Sequence, residues 1–231
     1  MILALVACKK EDNGTTPSEK ESFVFPLAVG NEWTYGIFEK DENYDDFDTP
    51  FYEYKSTVIR KLDYKGKESY ELDKENRLVY KYFSVDEDGI YGHPDYENLS
   101  SDGKNYYPND WITLYDFAND EWTMYSKYLE VEDGDFKAEG TIAMFGKKIG
   151  KSSQIINGSE TDIYEFMAIQ SVEATETYNG VSKSTSEKDT SYIKLADGIG
   201  IYSISQIESE IDEEYPDYGW TEKVIDFKIN Q

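Results

Sequence analysis

A period of two narrows the fold of this chain more than any other feature. From Phe23 onward, stretches rich in β-branched and aromatic residues alternate apolar with polar side chains, and Gly, Asn or Asp interrupts them at short intervals. Alternation sends successive side chains to opposite faces of an extended strand; on a helix the same residues would be scattered around the circumference. Near the C-terminus Ile225, Phe227 and Ile229 alternate with Val224, Asp226 and Lys228, which gives one apolar face and one mainly polar face. Further strands are expected at 32–39, 51–62, 68–73, 78–85, 111–117, 122–131, 136–145, 161–172, 191–195 and 199–208. The joins Lys65-Gly66, Glu87-Asp88-Gly89, Asp133-Gly134, Asn157-Gly158 and Asn179-Gly180 hold residues that tolerate positive φ, as tight hairpins demand. Consecutive hairpins predict a meander.

No apolar run at helical spacing reaches helix length, with room only for a short helix around Ser100 or Asp110. No linker interrupts residues 23–231, so the expected fold is all-β: a single domain on a large curved antiparallel sheet, a half-barrel or a sandwich. The half-barrel is preferred. Strands such as Leu78-Val79-Tyr80-Lys81-Tyr82-Phe83 alternate incompletely, which suits one dry face and one partly covered face. The 21 Tyr, 11 Phe and 4 Trp supply the area for a core. The balance of 23 Lys+Arg against 48 Asp+Glu gives a net charge of −25, a field that repels phosphate backbones and argues against nucleic-acid binding. Its plainest meaning is a well-solvated surface.

One cysteine, Cys8, excludes an internal disulfide framework and thiolate zinc clusters. It ends the uncharged apolar run Met-Ile-Leu-Ala-Leu-Val-Ala and is followed at once by Lys9, Lys10, Glu11 and Asp12. Leu5-Val6-Ala7-Cys8 resembles the bacterial lipobox, which implies cleavage before Cys8 and a lipidated cysteine. A signal peptide also needs a basic stretch before its apolar core, so residues 1–8 are expected to be the end of a longer leader. Acyl chains contribute about 0.8 kcal/mol per buried methylene, enough for two or more to anchor the chain without spanning the membrane. Residues 9–22 read as a flexible polar tether. Glu11-Asp12 so close to Cys8 resembles the export signals of Bacteroidota lipoproteins. That implies the outer membrane of a Gram-negative cell, surface-facing in preference to periplasm-facing.

Pro26-Leu27-Ala28-Val29-Gly30-Asn31-Glu32-Trp33-Thr34-Tyr35 resembles the opening motif of a group of uncharacterised Bacteroidota-type envelope lipoproteins: Pro-Leu, two residues, Gly-Asn, any residue, Trp, any residue, Tyr. Asn119-Asp120-Glu121-Trp122 and Gly198-Ile199-Gly200 are similar to two later elements of the same group. The resemblance implies fold and address and transfers no catalytic residue. In physical terms the opening motif reads as a strand entry, with Gly30-Asn31 as a turn and Trp33 and Tyr35 on one face; Trp33 and Trp122 read as core anchors.

Chemistry is sparse. His93, the sole histidine, lies in Tyr91-Gly92-His93-Pro94-Asp95 and reads as a solvated loop residue without partners for a hydrolase or zinc site. Gly146-Lys147-Lys148-Ile149-Gly150 lacks the context of a phosphate loop and reads as a turn between strands. Acids cluster at 41–48, 86–88 and 130–135 without the pattern of a calcium loop, so no cofactor is expected, and calcium only as a remote option. A carboxylate-pair hydrolase finds no distinguished pair among so many acids. Tyr96, Tyr106, Tyr107 and Trp111 form the one aromatic excess off the regular strands: candidate contacts for a sugar, against the plainer reading of a loop packed on the sheet. The expected function is a membrane-anchored, non-catalytic envelope lipoprotein with a binding or structural role. Alternatives are a carrier of an apolar or lipid ligand in a half-barrel concavity and a surface glycan-binding accessory protein.

Overall fold

The computed structural model describes residues 23–73, 80–94, 109–207 and 218–230. Cys8, the tether and Tyr96, Tyr106 and Tyr107 lie outside them. Twelve strands follow one another: β1 (Glu32–Glu39), β2 (Tyr52–Tyr64), β3 (Lys67–Leu72), β4 (Tyr82–Val85), β5 (Gly89–His93), β6 (Ile112–Asp116), β7 (Glu121–Asp133), β8 (Phe136–Ile156), β9 (Ser159–Tyr178), β10 (Val181–Ala196), β11 (Gly200–Gln206) and β12 (Trp220–Lys228). They form one antiparallel sheet in the order β6-β5-β4-β3-β2-β1-β12-β11-β10-β9-β8-β7. Every neighbour is a sequence neighbour except at the centre, where the first strand pairs with the last, Glu32 opposite Lys228 and Glu39 opposite Trp220.

The hairpins are tight for the expected reason. Lys65, Asn157 and Asn179 take φ of 47°, 50° and 48°, and the glycines that follow them take 79°, 81° and 79°. Two consecutive positive φ values match the right-handed twist of the flanking strands.

The sheet curls until its two edge strands meet, giving a nearly closed barrel. Tyr115 of β6 stands edge-on to Trp122 of β7 at 5.6 Å between ring centroids, and the Trp122 indole Nε1 donates to the Thr113 carbonyl at 3.0 Å. Inside lie two apolar clusters. One gathers Trp33, Tyr35, Tyr54, Val58, Phe83, Ile163 and Ile199; the other gathers Phe23, Ile90, Tyr115, Trp122, Met124, Tyr164 and Phe166. The segment ahead of β1 ties them together, because Phe25 packs on both clusters while Leu27 joins the first and Phe23 the second.

The opening motif therefore does more than start a strand. Asn31, fully buried, donates from Nδ2 to the Pro26 carbonyl and accepts the Asn230 amide at Oδ1, 2.8 Å away. Trp33 Nε1 donates to the Ile199 carbonyl at 2.7 Å, and Tyr35 Oη donates to the Ile201 carbonyl at 3.2 Å. Gly198-Ile199-Gly200 is thus the docking partner of the opening motif, two sequence elements that meet across the core. Burial, and then the negative charge of Glu222, push the Tyr35 phenol upward, so it remains a donor.

Three expectations need correction. The stretch around Tyr91-Gly92-His93 is strand β5, paired with both β4 and β6. His93 is accordingly fully buried, with its ring edge-on to Tyr64 at 5.0 Å and to Trp111 at 5.4 Å. Gly92 had suggested a turn; its missing side chain instead admits the Tyr80 ring, since a Cβ there would stand 2.7 Å from Tyr80 Cγ. Gly146–Gly150 lies in the middle of β8. A Cβ on Gly146 would fall 2.1 Å from the Trp122 ring, and Gly150 follows a register shift after Lys148, so these glycines mark a packing notch and a bulge. Among the described residues there is no helix; Asp110 sits in a bend ahead of β6, and Ser100 lies outside those residues.

Candidate functional site

Strands β8, β9 and β10, of 21, 20 and 16 residues, are several times longer than an ordinary strand. Only part of each belongs to the barrel. Beyond it, the ends of β7 to β10 run on as a four-stranded ribbon, with Asp133 opposite Phe136, Phe136 opposite Tyr178 and Tyr178 opposite Val181 at its tip. From Ile169 to Tyr178 this is roughly 30 Å of extended chain.

Register assigns the faces. Phe166 and Ala168 point into the barrel core, so the same face farther along holds Val172 and Ala174 of β9 opposite Ile142 and Gly140 of β8. With Leu129 and Ala138 these line a small, almost wholly apolar depression of about 160 Å³. The outer face holds Ile169, Ser171 and Glu173 opposite Phe145, Ala143 and Thr141, with Thr123 and Ser126 contributed by β7.

A groove of about 720 Å³ lies along this outer face. Phe145, Ile169 and Ala143 form its apolar floor. Ser126, Thr141 and Ser171 supply hydroxyls, and Glu121, Lys147, Glu173 and Lys188 supply charge. The Phe145 ring is 40% exposed. Glu121 and Lys147 face each other at 2.6 Å, an ion pair that lowers the carboxyl and raises the ammonium from their ordinary values. A second hollow of about 430 Å³ continues toward the tip past Tyr128, Thr175, Ser184 and Ser186. There Thr175 and Ser184 share a hydrogen bond at 3.0 Å, and Thr177 and Ser182 another at 2.9 Å.

The sequence-predicted site residues fall elsewhere. Trp111 is half-buried just before β6, edge-on to His93 and to Tyr64, so it packs on the sheet. Its three proposed companions lie outside the described residues. The groove had no sequence signal. Its residues come from four strands, and only the register of the long hairpins brings them side by side.

The acidic clusters are engaged locally. Asp41 accepts the Asn43 and Asp45 amides, which together hold its carboxyl low. Asp86 accepts the Asp88 and Gly89 amides and the Lys67 ammonium. Glu130 and Glu139 flank Lys137 at 3.0 and 2.9 Å. Among the described residues two carboxylates are buried: Glu71 is held by Arg60 and Lys81, and Glu222 accepts Tyr54 Oη at 2.7 Å. Among the described residues no group of three or more His, Cys, Asp or Glu is disposed to hold a metal ion, and no helix is long and apolar enough to cross a membrane.

No protein-family model matches the chain, and no curated protein is similar to it in sequence. Among solved structures, it is similar to a candidate lipoprotein of Parabacteroides distasonis, at 12% identity and a TM-score of 0.45, covering 89% of this chain and 98% of that one. It is also similar to a candidate exported protein with a YmcC-like fold from Bacteroides fragilis, at 10% identity and a TM-score of 0.42, covering 89% and 99% of the two chains.

Proposed function

We propose that this chain is a lipid-anchored, non-catalytic binding protein of the Gram-negative cell envelope, held at Cys8, with the outer-face groove of the ribbon as a glycan-binding surface. The groove itself carries the reading: an exposed aromatic ring on an apolar floor, rimmed by hydroxyls and an ion pair, suits a sugar's C–H face and its hydroxyl edge. A carrier of apolar ligands would need an open concavity. In the described residues Phe23, Phe25 and Leu27 occupy that space from within.

Geometry also suits an anchor. The Val24 amide donates to Asp197, and the Asp197 amide to the Asp162 carbonyl near the β8–β9 turn. The chain thus enters at the end of the barrel opposite the ribbon tip. An anchor on Cys8 would then leave the ribbon tip projecting away from the bilayer, on the cell surface in preference to the periplasm.

Two measurements test this. On a glycan array, full-length chain carrying Cys8→Ser should bind a defined set of glycans. Phe145→Ala should weaken that binding about tenfold, the value of one stacked ring, with thermal unfolding unchanged. Binding that survives in Phe145→Ala and is lost in Trp111→Ala would return the site to the Trp111 loop. Metabolic labelling with a fatty-acid analogue should mark the native chain and not Cys8→Ala; equal labelling of both would remove the anchor.

A further inference from the structure

Strand β10 is paired on both sides over only part of its length. Its whole length, from Val181 to Ala196, pairs with β9, whereas β11 pairs with it only from Ser191 to Ala196. Among the described residues, no strand pairs with the other edge of residues 181–190. Alternate residues of this stretch present their backbone donors and acceptors outward, and most of its side chains are exposed. Natural sheets blunt such an edge with a proline, a bulge or charged side chains, lysine above all. Val-Ser-Lys-Ser-Thr-Ser-Glu-Lys-Asp-Thr has no proline and no bulge, and its charged side chains, two Lys and two acids, are of both signs, so they bar a strand of like charge and admit one of complementary pattern. Its pairing with β9 runs without a register shift.

Charge identifies what fits there. The molecule carries −25, yet in this segment Lys183 and Lys188 balance Glu187 and Asp189. Two copies related by a two-fold axis normal to the sheet would pair antiparallel, with each residue opposite one of the same parity. With the axis at Thr185, Lys183 of each copy faces Glu187 of the other. With the axis at Ser186, Lys183 faces Asp189 and Ser184 faces Lys188. Either register opposes unlike charges twice and like charges nowhere, an arrangement that stabilises cross-strand pairs.

We propose that residues 181–190 of β10 are a homodimerisation edge, at which a second copy of this chain adds its own β10 in antiparallel register and joins the two ribbons into one eight-stranded sheet. Ser186 and Lys188 of this strand also line the hollows of the outer face. Pairing would therefore set the two grooves side by side on one continuous surface. A strand-to-strand contact is small, so the dimer is weak in dilute solution and is favoured where anchored copies share a membrane and their effective concentration rises.

Sedimentation equilibrium of full-length chain carrying Cys8→Ser, which removes any acyl contribution, should show reversible dimerisation at roughly 0.1–1 mM. Lys183→Glu, a substitution at an exposed position, should weaken the dimer at least ~10-fold by placing like charges opposite each other. Adding Glu187→Lys or Asp189→Lys to it should restore association, depending on which register forms. In the same background Thr185→Cys or Ser186→Cys should oxidise to a disulfide dimer, because residues opposed across antiparallel strands lie within disulfide reach. A chain that stays monomeric throughout, a dimer indifferent to Lys183→Glu, or failure of both cysteine variants to cross-link would each overturn the proposal.

Discussion

Gly146 shows how one missing side chain can hold two strands in place. The Trp122 ring fills the space above it, and Trp122 in turn ties the β7 edge to β6 through Thr113. Gly146→Ala must displace either the ring or the strand, so it should cost about 1–3 kcal/mol or more, read as a lower denaturation midpoint with unchanged slope. Asp46 works by charge instead, accepting Lys40 at 2.9 Å and Lys223 at 3.0 Å. Burial alone would raise its carboxyl above the ordinary 3.8, but hydrogen bonds from Thr221, Lys40 and Lys223 outweigh that and hold it lower. Because folding lowers this pKa, the stabilisation is complete at neutral pH and disappears as the pH falls through the unfolded value toward the folded one. Asp46→Asn should then cost about 1–2 kcal/mol at pH 7, with the gap to the native chain narrowing below pH 3.8; a gap that widened in acid would contradict the assignment.

Among elements, the ribbon and the barrel should differ in dynamics. Residues 163–168 of β9 lie over the core, with Ile163, Tyr164, Phe166 and Ala168 buried, whereas residues 181–189 of β10 are almost all exposed and are paired on one side only. Hydrogen exchange in dilute protein should accordingly be fast in the first ten residues of β10 and slow in β1 and in the start of β9. Equal protection of the two would mean that the ribbon opens only with the barrel. The same contrast decides what the sequence reveals. Strand β1, buried on one side by Trp33, Tyr35 and Ile37, is legible to the residue, and the Asn-Gly turns are legible because positive φ leaves few other residues. The stretch 181–190 is hidden because both of its faces meet water, so no alternation is imposed on it. Strand β5 misleads because Gly92 and Pro94 look like a turn when the glycine is needed for the Tyr80 ring. The groove is invisible for a different reason: Phe145, Ile169 and Ser171 become neighbours through register alone, a property of pairs of strands.

At the scale of the whole molecule, the charge of −25 should dominate the response to salt. Exposed ion pairs such as Lys55–Glu32 and Lys61–Glu68 contribute little and are weakened by screening. The excess acids repel one another across the entire surface, and screening relieves that. The melting temperature should therefore rise by a few degrees, roughly 2–4 °C, between about 10 mM and 0.15 M NaCl. A fall would show that the ion pairs outweigh the repulsion.

The pairing of β1 with β12 places the two extremes of the described chain at the centre of the sheet. Neighbouring hairpins can zip as they emerge from the ribosome, but the seam that joins the two halves must wait for the nine-residue β12. Until β12 has been made the barrel has no way to lock shut, so the polypeptide stays threadable for as long as that strand is missing.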